Sequence, residues 1–306
     1  MRLTRRNFIL GGAASALIGA SAVSATSNFT TALPSIEQIP ISLSNLPAEF
    51  DGYKIGFITD LHIGTDIPTE WIIESIKTLE AQKIDLLMLG GDYVTIHDEP
   101  ISQFLEQHRN KKVLNRSGNV DIERLFGELR YAINDLSAPD GAVAVVGNHD
   151  LWVSESRTIA SFTDTPVRLL INQLHEIRRG EASLSICGTD DYWNGKPRFE
   201  WGFGPRTDLK QVRILLTHNP DFASIAMDNT EADFDLALCG HTHAGQIKLP
   251  LLGALVHNIK DLRLFEGLYS SSNRKSVYTS RGLGVVGLPF RMNCPPEVTI
   301  LQLTKS

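Results

Sequence analysis

Ile84-Asp85-Leu86-Leu87-Met88-Leu89-Gly90-Gly91-Asp92 runs almost unbroken aliphatic residues into two glycines and an acid. Such a run reads as a strand buried on both faces, the pattern of a parallel sheet covered by helices. Working outward, Tyr53 to Thr59 is a second compact strand and Ala142 to Val146 a third. Between them, Thr69 to Ala81 carries Trp71, Ile72, Ile76 and Leu79 at helical spacing. Asp121 to Asp135 repeats that spacing with Ile122, Leu125, Phe126, Leu129 and Ile133. Strand, helix, strand, helix, strand predicts an α/β domain with parallel crossovers. The second half is richer in strands: Leu184–Gly188, Val212–Leu216, Leu236–Cys239, Gln246–Leu249, Val277–Ser280 and Val298–Leu303. Burying this many apolar strands calls for two mixed sheets packed face to face with helices outside, a four-layer α-β-β-α sandwich.

The strand ends carry the chemistry. Asp60-Leu61-His62, Gly90-Gly91-Asp92, Gly147-Asn148-His149-Asp150, His218 and Gly240-His241-Thr242-His243 each follow an aliphatic run. Ligands of α/β sheets bind beyond the carboxyl ends of the strands. Carboxylate, amide and imidazole together suit divalent transition metals. Any one piece alone reads as an ordinary turn residue. Five pieces in this order predict a two-metal hydrolytic site at the strand ends. In an extended segment residues i and i+2 share a face, so His241 and His243 are expected to serve two adjacent ions.

Bulk properties narrow the function. The chain has 306 residues, 42% hydrophobic, and a net charge of -6, which argues against a general nucleic-acid-binding surface. Cys187, Cys239 and Cys294 show no close-spaced framework. Residues 1–25 hold Arg5-Arg6, a short apolar region rich in Ala and Gly, and small residues near Ala25, the pattern of a signal peptide of the twin-arginine type. Residues 26–50, rich in Ser, Thr and Pro, read as a linker, and residues 51–306 as the catalytic domain. These features predict an exported, periplasmic or extracytoplasmic protein, with peripheral membrane or envelope association as a further expectation and the export machinery as a partner. Gln107 to Asn119, with Arg109, Lys111, Lys112 and Arg116, reads as a surface insertion or lid edge.

The strand-end set resembles the calcineurin-like metallophosphoesterase superfamily from about residue 53 onward. Gly240 to Pro250 and Ser280 to Gly284 resemble a bacterial branch of exported or membrane-associated enzymes, which often carry Gly where this chain has Ala244. Pro295-Pro296-Glu297 fits the same branch. The resemblance implies that Asp60, His62 and His243 hold one metal, that Asn148, His218 and His241 hold the other, and that Asp92 bridges them. It leaves His149 free to protonate the leaving oxygen, with Asp150 expected to orient it. The cofactors expected are two divalent ions, Mn, Fe or Zn, roughly 3.5–4 Å apart, generating a nucleophile from water. A phosphate-ester substrate is implied: a phosphodiester or phosphoanhydride, with a lipid-linked pyrophosphate such as UDP-2,3-diacylglucosamine among the candidates. A phosphomonoesterase or nucleotidase, or a non-catalytic envelope-binding protein on the same scaffold, are the competing readings. Asp190 to Gly204 is either a substrate-binding loop, with Tyr192 and Trp193 as contacts, or a packed surface loop. Arg281 either contacts a phosphate or makes a structural salt bridge. Trp152 lines the pocket or the core.

Overall fold

The computed structural model describes residues 33–96, 121–198, 210–229, 232–271 and 273–306. The leader at 1–25 and the basic stretch at 107–119 lie outside these residues, as do 199–204 of the Asp190–Gly204 stretch.

Two six-stranded sheets carry the fold. The first is built from β1 (Ser35–Leu43), β2 (Lys54–Ile58), β3 (Leu86–Leu89), β4 (Ala142–Ala144), β5 (Val167–Leu169) and β14 (Glu297–Lys305). Its order is β1-β14-β2-β3-β4-β5, with β2 to β5 parallel and β14 antiparallel to β2. The second holds β6 (Gln173–Arg179), β7 (Ala182–Gly188), β8 (Gln211–Leu216), β9 (Leu236–Cys239), β12 (Gly267–Ser270) and β13 (Ser276–Thr279). Its order is β12-β13-β9-β8-β7-β6, parallel from β7 through β13. A two-stranded ribbon, β10 (Lys248–Leu249) with β11 (Gly253–Ala254), stands apart.

Period-two alternation sorts the strand residues between layers. Ile55 and Phe57 of β2, and Leu86 and Met88 of β3, meet Ile186, Ile214, Leu216 and Leu238 of the other sheet in the central core. The intervening Ile58, Leu87 and Leu89 face the opposite way. There they receive Ile72, Ile76 and Leu79 of α1 (Thr69–Glu80) and Phe126, Leu129 and Ile133 of α2 (Ile122–Ile133). On the far face, Ala223, Ala226 and Met227 of α4 (Pro220–Asp228) cover Leu215, Ala237 and Val277. The layers are therefore α-β-β-α, as the strand count predicts. Asp121, expected at the helix start, caps α2 by accepting from the Arg124 N–H at 3.0 Å.

Two regions depart from the sequence expectation. Much of the stretch read as a linker is structured: Ser35–Leu43 is the edge strand β1, paired in parallel with β14 along its whole length. Its Pro40 is tolerated because an edge strand need not donate on both sides. Ile41 and Leu43 enter the central core and outweigh the polar composition. Asn148 begins a helix, α3 (Asn148–Phe162), interrupted at Ser154, where φ is -175° and ψ 105°. Three of its early residues are chemical rather than apolar, which hides the helical period.

Candidate metal centre

The five strand-end segments converge where the parallel strands of both sheets finish. Asp60 and His62 follow β2, Asp92 follows β3, Asn148 opens α3 beyond β4, and His218 and His241 follow β8 and β9. All seven expected ligands are buried. Asp60, His62 and His243 form one group whose ligand atoms lie within 4.8 Å of one another, and Asp92, His218 and His241 form another.

Asp92 stands between them. Its Oδ2 lies 3.1 Å from His218 Nε2 and 3.8 Å from His62 Nε2. Its Oδ1 accepts the His149 backbone N–H at 2.8 Å. In the first group, His62 Nε2 is 3.0 Å from His243 Nε2, and His243 Nε2 is 3.3 Å from Asp60 Oδ1. Imidazole nitrogens aimed at each other and at carboxylates describe a place that demands a cation.

Two observations show that the residues fit a divalent ion. His218 Nδ1 lies 2.8 Å from the Gly90 carbonyl, which only accepts, so Nδ1 carries the proton and Nε2 presents its lone pair to Asp92. A lone pair facing a carboxylate is repulsive unless positive charge sits between them. Asn148 Oδ1 is buried with no hydrogen-bond donor among the described residues, although a buried carbonyl oxygen ordinarily has one. The surrounding acids call for positive charge at the same place: burial opposes a charged His218, but Asp92, Asp60 and Asp191 outweigh it and, with no cation among them, push the imidazole up to about 10, so that a proton on Nε2 stands in for the ion. Burial and the neighbouring His243 hold His62 well below its ordinary value.

The backbone is arranged for this convergence at a cost. Asp60, His62, Asp92, His241 and His243 all take left-handed φ, from 48° to 71°. Asp and His tolerate this region better than most residues, and each such position still stores on the order of 1 kcal/mol or more. His241 and His243 were expected on an extended segment; they lie instead in a tight turn, and the turn sends them to different groups. Ala244, in the same turn, has φ 48°. That conformation is free for glycine, which accounts for the glycine in the sequences this segment resembles. Gly147 and Gly240 are needed for space. A Cβ at Gly147 would stand 2.3 Å from Asp92 Oδ1, and one at Gly240 2.3 Å from Asp60 Oδ2.

Asp150 does not orient His149. Adjacent residues on a helix point apart. The Asp150 carboxylate instead accepts backbone N–H groups from Asp92 at 2.9 Å, Tyr93 at 2.8 Å and Gly147 at 2.9 Å. It ties the loop after β3 to the start of α3 and so sets where Asp92 sits. His149 has Thr95 beside it, whose Oγ1 lies 2.6 Å from Nδ1. Thr95 lies beyond the Gly-Gly-Asp segment and has no motif to announce it. His149 is partly exposed, and a ring nitrogen of it groups with His62 and Asp92.

The expected substrate contacts separate. Trp193 stands edge-on to His241, with ring centres 4.4 Å apart, and Trp152 packs against His149 at 4.6 Å. Their indoles lie 6.2 Å from each other and form one aromatic wall beside the ligands. Tyr192 turns toward Phe222 of α4, 6.1 Å away. Arg281 is held by Glu37 at 2.7 Å and Glu297 at 2.9 Å, the structural salt bridge. Asp191, buried and pushed up to about 6 chiefly by that burial, accepts the Trp193 and Asn194 N–H groups and fixes the tryptophan's turn.

Arg291 was not legible beforehand. It is buried, and its guanidinium donates to the carbonyls of Arg281, Gly282 and Gly284, while Nη2 stands 3.1 Å from His243 Nδ1. It locks the 281–284 loop, which in turn receives the Asp60 carbonyl through the Gly284 N–H at 2.7 Å. A lone arginine forty-eight positions after His243 carries no sequence signal for that role.

The calcineurin-like phosphoesterase family profile matches residues 53–245, which span all seven expected ligands. Phosphodiesterase YaeI of Escherichia coli is 31% identical over 255 residues, covering 82% of each chain. The uncharacterised metallophosphoesterase YkuE of Bacillus subtilis is 29% identical over 265 residues, covering 86% of this chain and 83% of its own. Among solved structures, a 5'-nucleotidase described as putative, from Staphylococcus aureus, aligns with TM-score 0.42 and 9% identity over 83% of this chain and 55% of its own, too distant a likeness to carry an argument. Family profile, relatives and the clustered Asp and His side chains agree: the chain belongs to the calcineurin-like phosphoesterases and is a metal-dependent phosphoric ester hydrolase.

Proposed function

We propose that the protein hydrolyses a phosphodiester or phosphoanhydride with two divalent cations, Mn, Fe or Zn, held on either side of Asp92. The observation that carries this reading is the place of the Asp92 carboxylate, within 4 Å of imidazoles from both ligand groups. Asp60, His62 and His243 would hold one ion, and Asn148, His218 and His241 the other. When bound, such ions activate water and neutralise phosphoryl oxygens. Asn148 contributes an oxygen without a further negative charge against an anionic substrate. His149, steadied by Thr95, gives its proton to the departing oxygen.

The surroundings favour a diester over a monoester. A terminal phosphate dianion calls for extra cations, yet among the described residues Arg281 is taken up by two glutamates and Arg291 lies beneath His243. Trp152 and Trp193 instead offer an apolar wall for a second esterifying group. The similarity to a relative named as a phosphodiesterase supports this choice. A lipid-linked pyrophosphate is the narrower substrate reading, drawn from the resemblance of Gly240 to Pro250. The test uses chelated protein reloaded with Mn²⁺. Turnover of bis(p-nitrophenyl) phosphate is expected to exceed that of p-nitrophenyl phosphate by at least about tenfold in kcat/KM, a difference of about 1.4 kcal/mol. An equal or inverted preference would remove the diester assignment.

Export through the Arg5-Arg6 leader belongs to the same reading. A reporter that folds before translocation, fused behind residues 1–30, should leave the cytoplasm. Replacing both arginines by lysine should stop it, and continued export would count against a twin-arginine route.

A further inference from the structure

The large apolar side chains that this protein leaves exposed are not scattered evenly. Of eleven among the described residues, six fall between Leu251 and Leu268. Leu251 is 106% exposed and Leu252 77%, at the tip of the β10–β11 ribbon. Two residue pairs are all that ladder has, Lys248 with Ala254 and Leu249 with Gly253, so the tip covers no core of its own. Leu255 and Val256 follow directly after β11, Leu262 comes six residues later, and all three are exposed. Exposed leucines grouped in this way mark a contact surface.

The ribbon is not a loose loop. The Leu255 N–H donates to the Ile247 carbonyl, and Asn258 Nδ2 donates to the carbonyl of the ligand His241 at 2.8 Å. Beyond it, the Lys260 and Asp261 N–H groups both donate to Asp221 Oδ1, at 2.8 and 3.2 Å. These bonds tie the segment that carries the leucine tip to the His241 loop and to the start of α4. Lys248, Lys260 and Arg263 stand at its base, partly balanced by Glu266 and Asp261.

The chain enters the domain at the same end. β1 starts with Ser35 beside Glu297, and the Glu297 N–H donates to Gly282, the residue packed against Asp60. Leu33, just upstream, is exposed, and the basic-then-apolar leader precedes it in sequence.

We infer that the β10–β11 ribbon, with Leu251 and Leu252 at its tip and Leu255, Val256 and Leu262 behind, docks into the interface of a lipid bilayer and seats the mouth of the metal centre against the membrane surface. A protruding apolar tip with cations at its base enters the acyl–headgroup boundary while the lysines and arginine stay at headgroup level. The ribbon would set the orientation of the domain on that surface. The protein would then meet phosphoesters presented at a lipid–water boundary. This goes beyond the proposed hydrolysis and does not depend on it.

The test uses the full chain. Leu252→Cys carries an environment-sensitive dye, and a second protein carries it on Tyr131→Cys, at an exposed residue elsewhere. Cys187, Cys239 and Cys294 are buried, which leaves the introduced thiol to react. With vesicles of phosphatidylethanolamine and phosphatidylglycerol, the dye at 252 should shift to the blue and be quenched by acyl-chain quenchers, and the dye at 131 should not. Leu251→Asp with Leu252→Asp should lower vesicle partitioning at least about tenfold. Hydrolysis of a soluble diester without vesicles should stay within about twofold, which separates failure of docking from failure of the hydrolase reading. An unquenched dye at 252 on floating protein would assign binding to the leader alone and overturn the inference. So would equal partitioning of the double variant. A dye shift that follows protein concentration without vesicles would assign the edge to a second copy of the chain and overturn it as well.

Discussion

Asp92→Asn is expected to lower turnover on the order of 10³-fold and to leave at most one tightly held metal ion, read by elemental analysis after gel filtration. Such a loss corresponds to about 4 kcal/mol of transition-state stabilisation. The reason is geometric. Asp92 is 2% exposed, and both of its oxygens are engaged: Oδ1 with the His149 N–H, and Oδ2 between His218 and His62. An amide keeps one acceptor and turns the other position into a donor. If oxygen remains toward His149, an NH₂ faces His218 and His62 and cannot ligate a cation. If it flips, an NH₂ collides with the His149 N–H. Neither orientation can bridge. The fold should survive, because the backbone N–H of residue 92 is held by Asp150 independently of its side chain. Full retention of both ions by the variant, with native circular dichroism, would remove Asp92 from the bridging position.

The second large effect is expected at His149. His149→Ala should keep its metal content and lose at least about 100-fold in turnover, the lower range for lost acid catalysis. The loss should depend on the leaving group. A nitrophenolate departs with little help, whereas an alkoxide needs the proton, so the variant should lose more on an alkyl ester than on an aryl ester. Equal losses on both would assign His149 to charge stabilisation or binding. Loss of metal in the variant would make it a ligand, a possibility its grouping with His62 and Asp92 makes worth measuring. Thr95, at 2.6 Å from Nδ1, fixes the ring while the aromatic face of Trp152 packs against it. An alanine at 149 removes the proton donor and leaves both supports in place.

The strand ends were the most legible part of the chain. Burial on both faces makes a strand such as Leu86–Leu89 read as uninterrupted aliphatic sequence, and the first polar residue after it marks the sheet edge. That is why the sequence alone puts Asp92, Asn148, His218 and His241 at one edge. β1 carries no such signal, because an edge strand with one covered face tolerates the polar residues and proline that also mark linkers. α3 is hidden in the sequence because its opening turn, Asn148-His149-Asp150, faces the centre instead of presenting an apolar face. The role of Asp150 is not legible from its place beside His149, because a helix sends neighbouring side chains about 100° apart.

What the sequence determined by itself was the inventory: which residue types end which strands, and hence the four layers and the class of chemistry. Those follow from local physics, since apolar runs must be buried and mixed oxygen and nitrogen donors select cations. Which oxygen of Asp92 faces which imidazole was decided only by the tertiary structure. So were Thr95 behind His149, the closure of Glu37 and Glu297 on Arg281, and the placement of Arg291 under His243. These contacts join residues far apart in the chain through left-handed turns. The conformation of such turns is imposed by the packing of two sheets and leaves no periodicity to read.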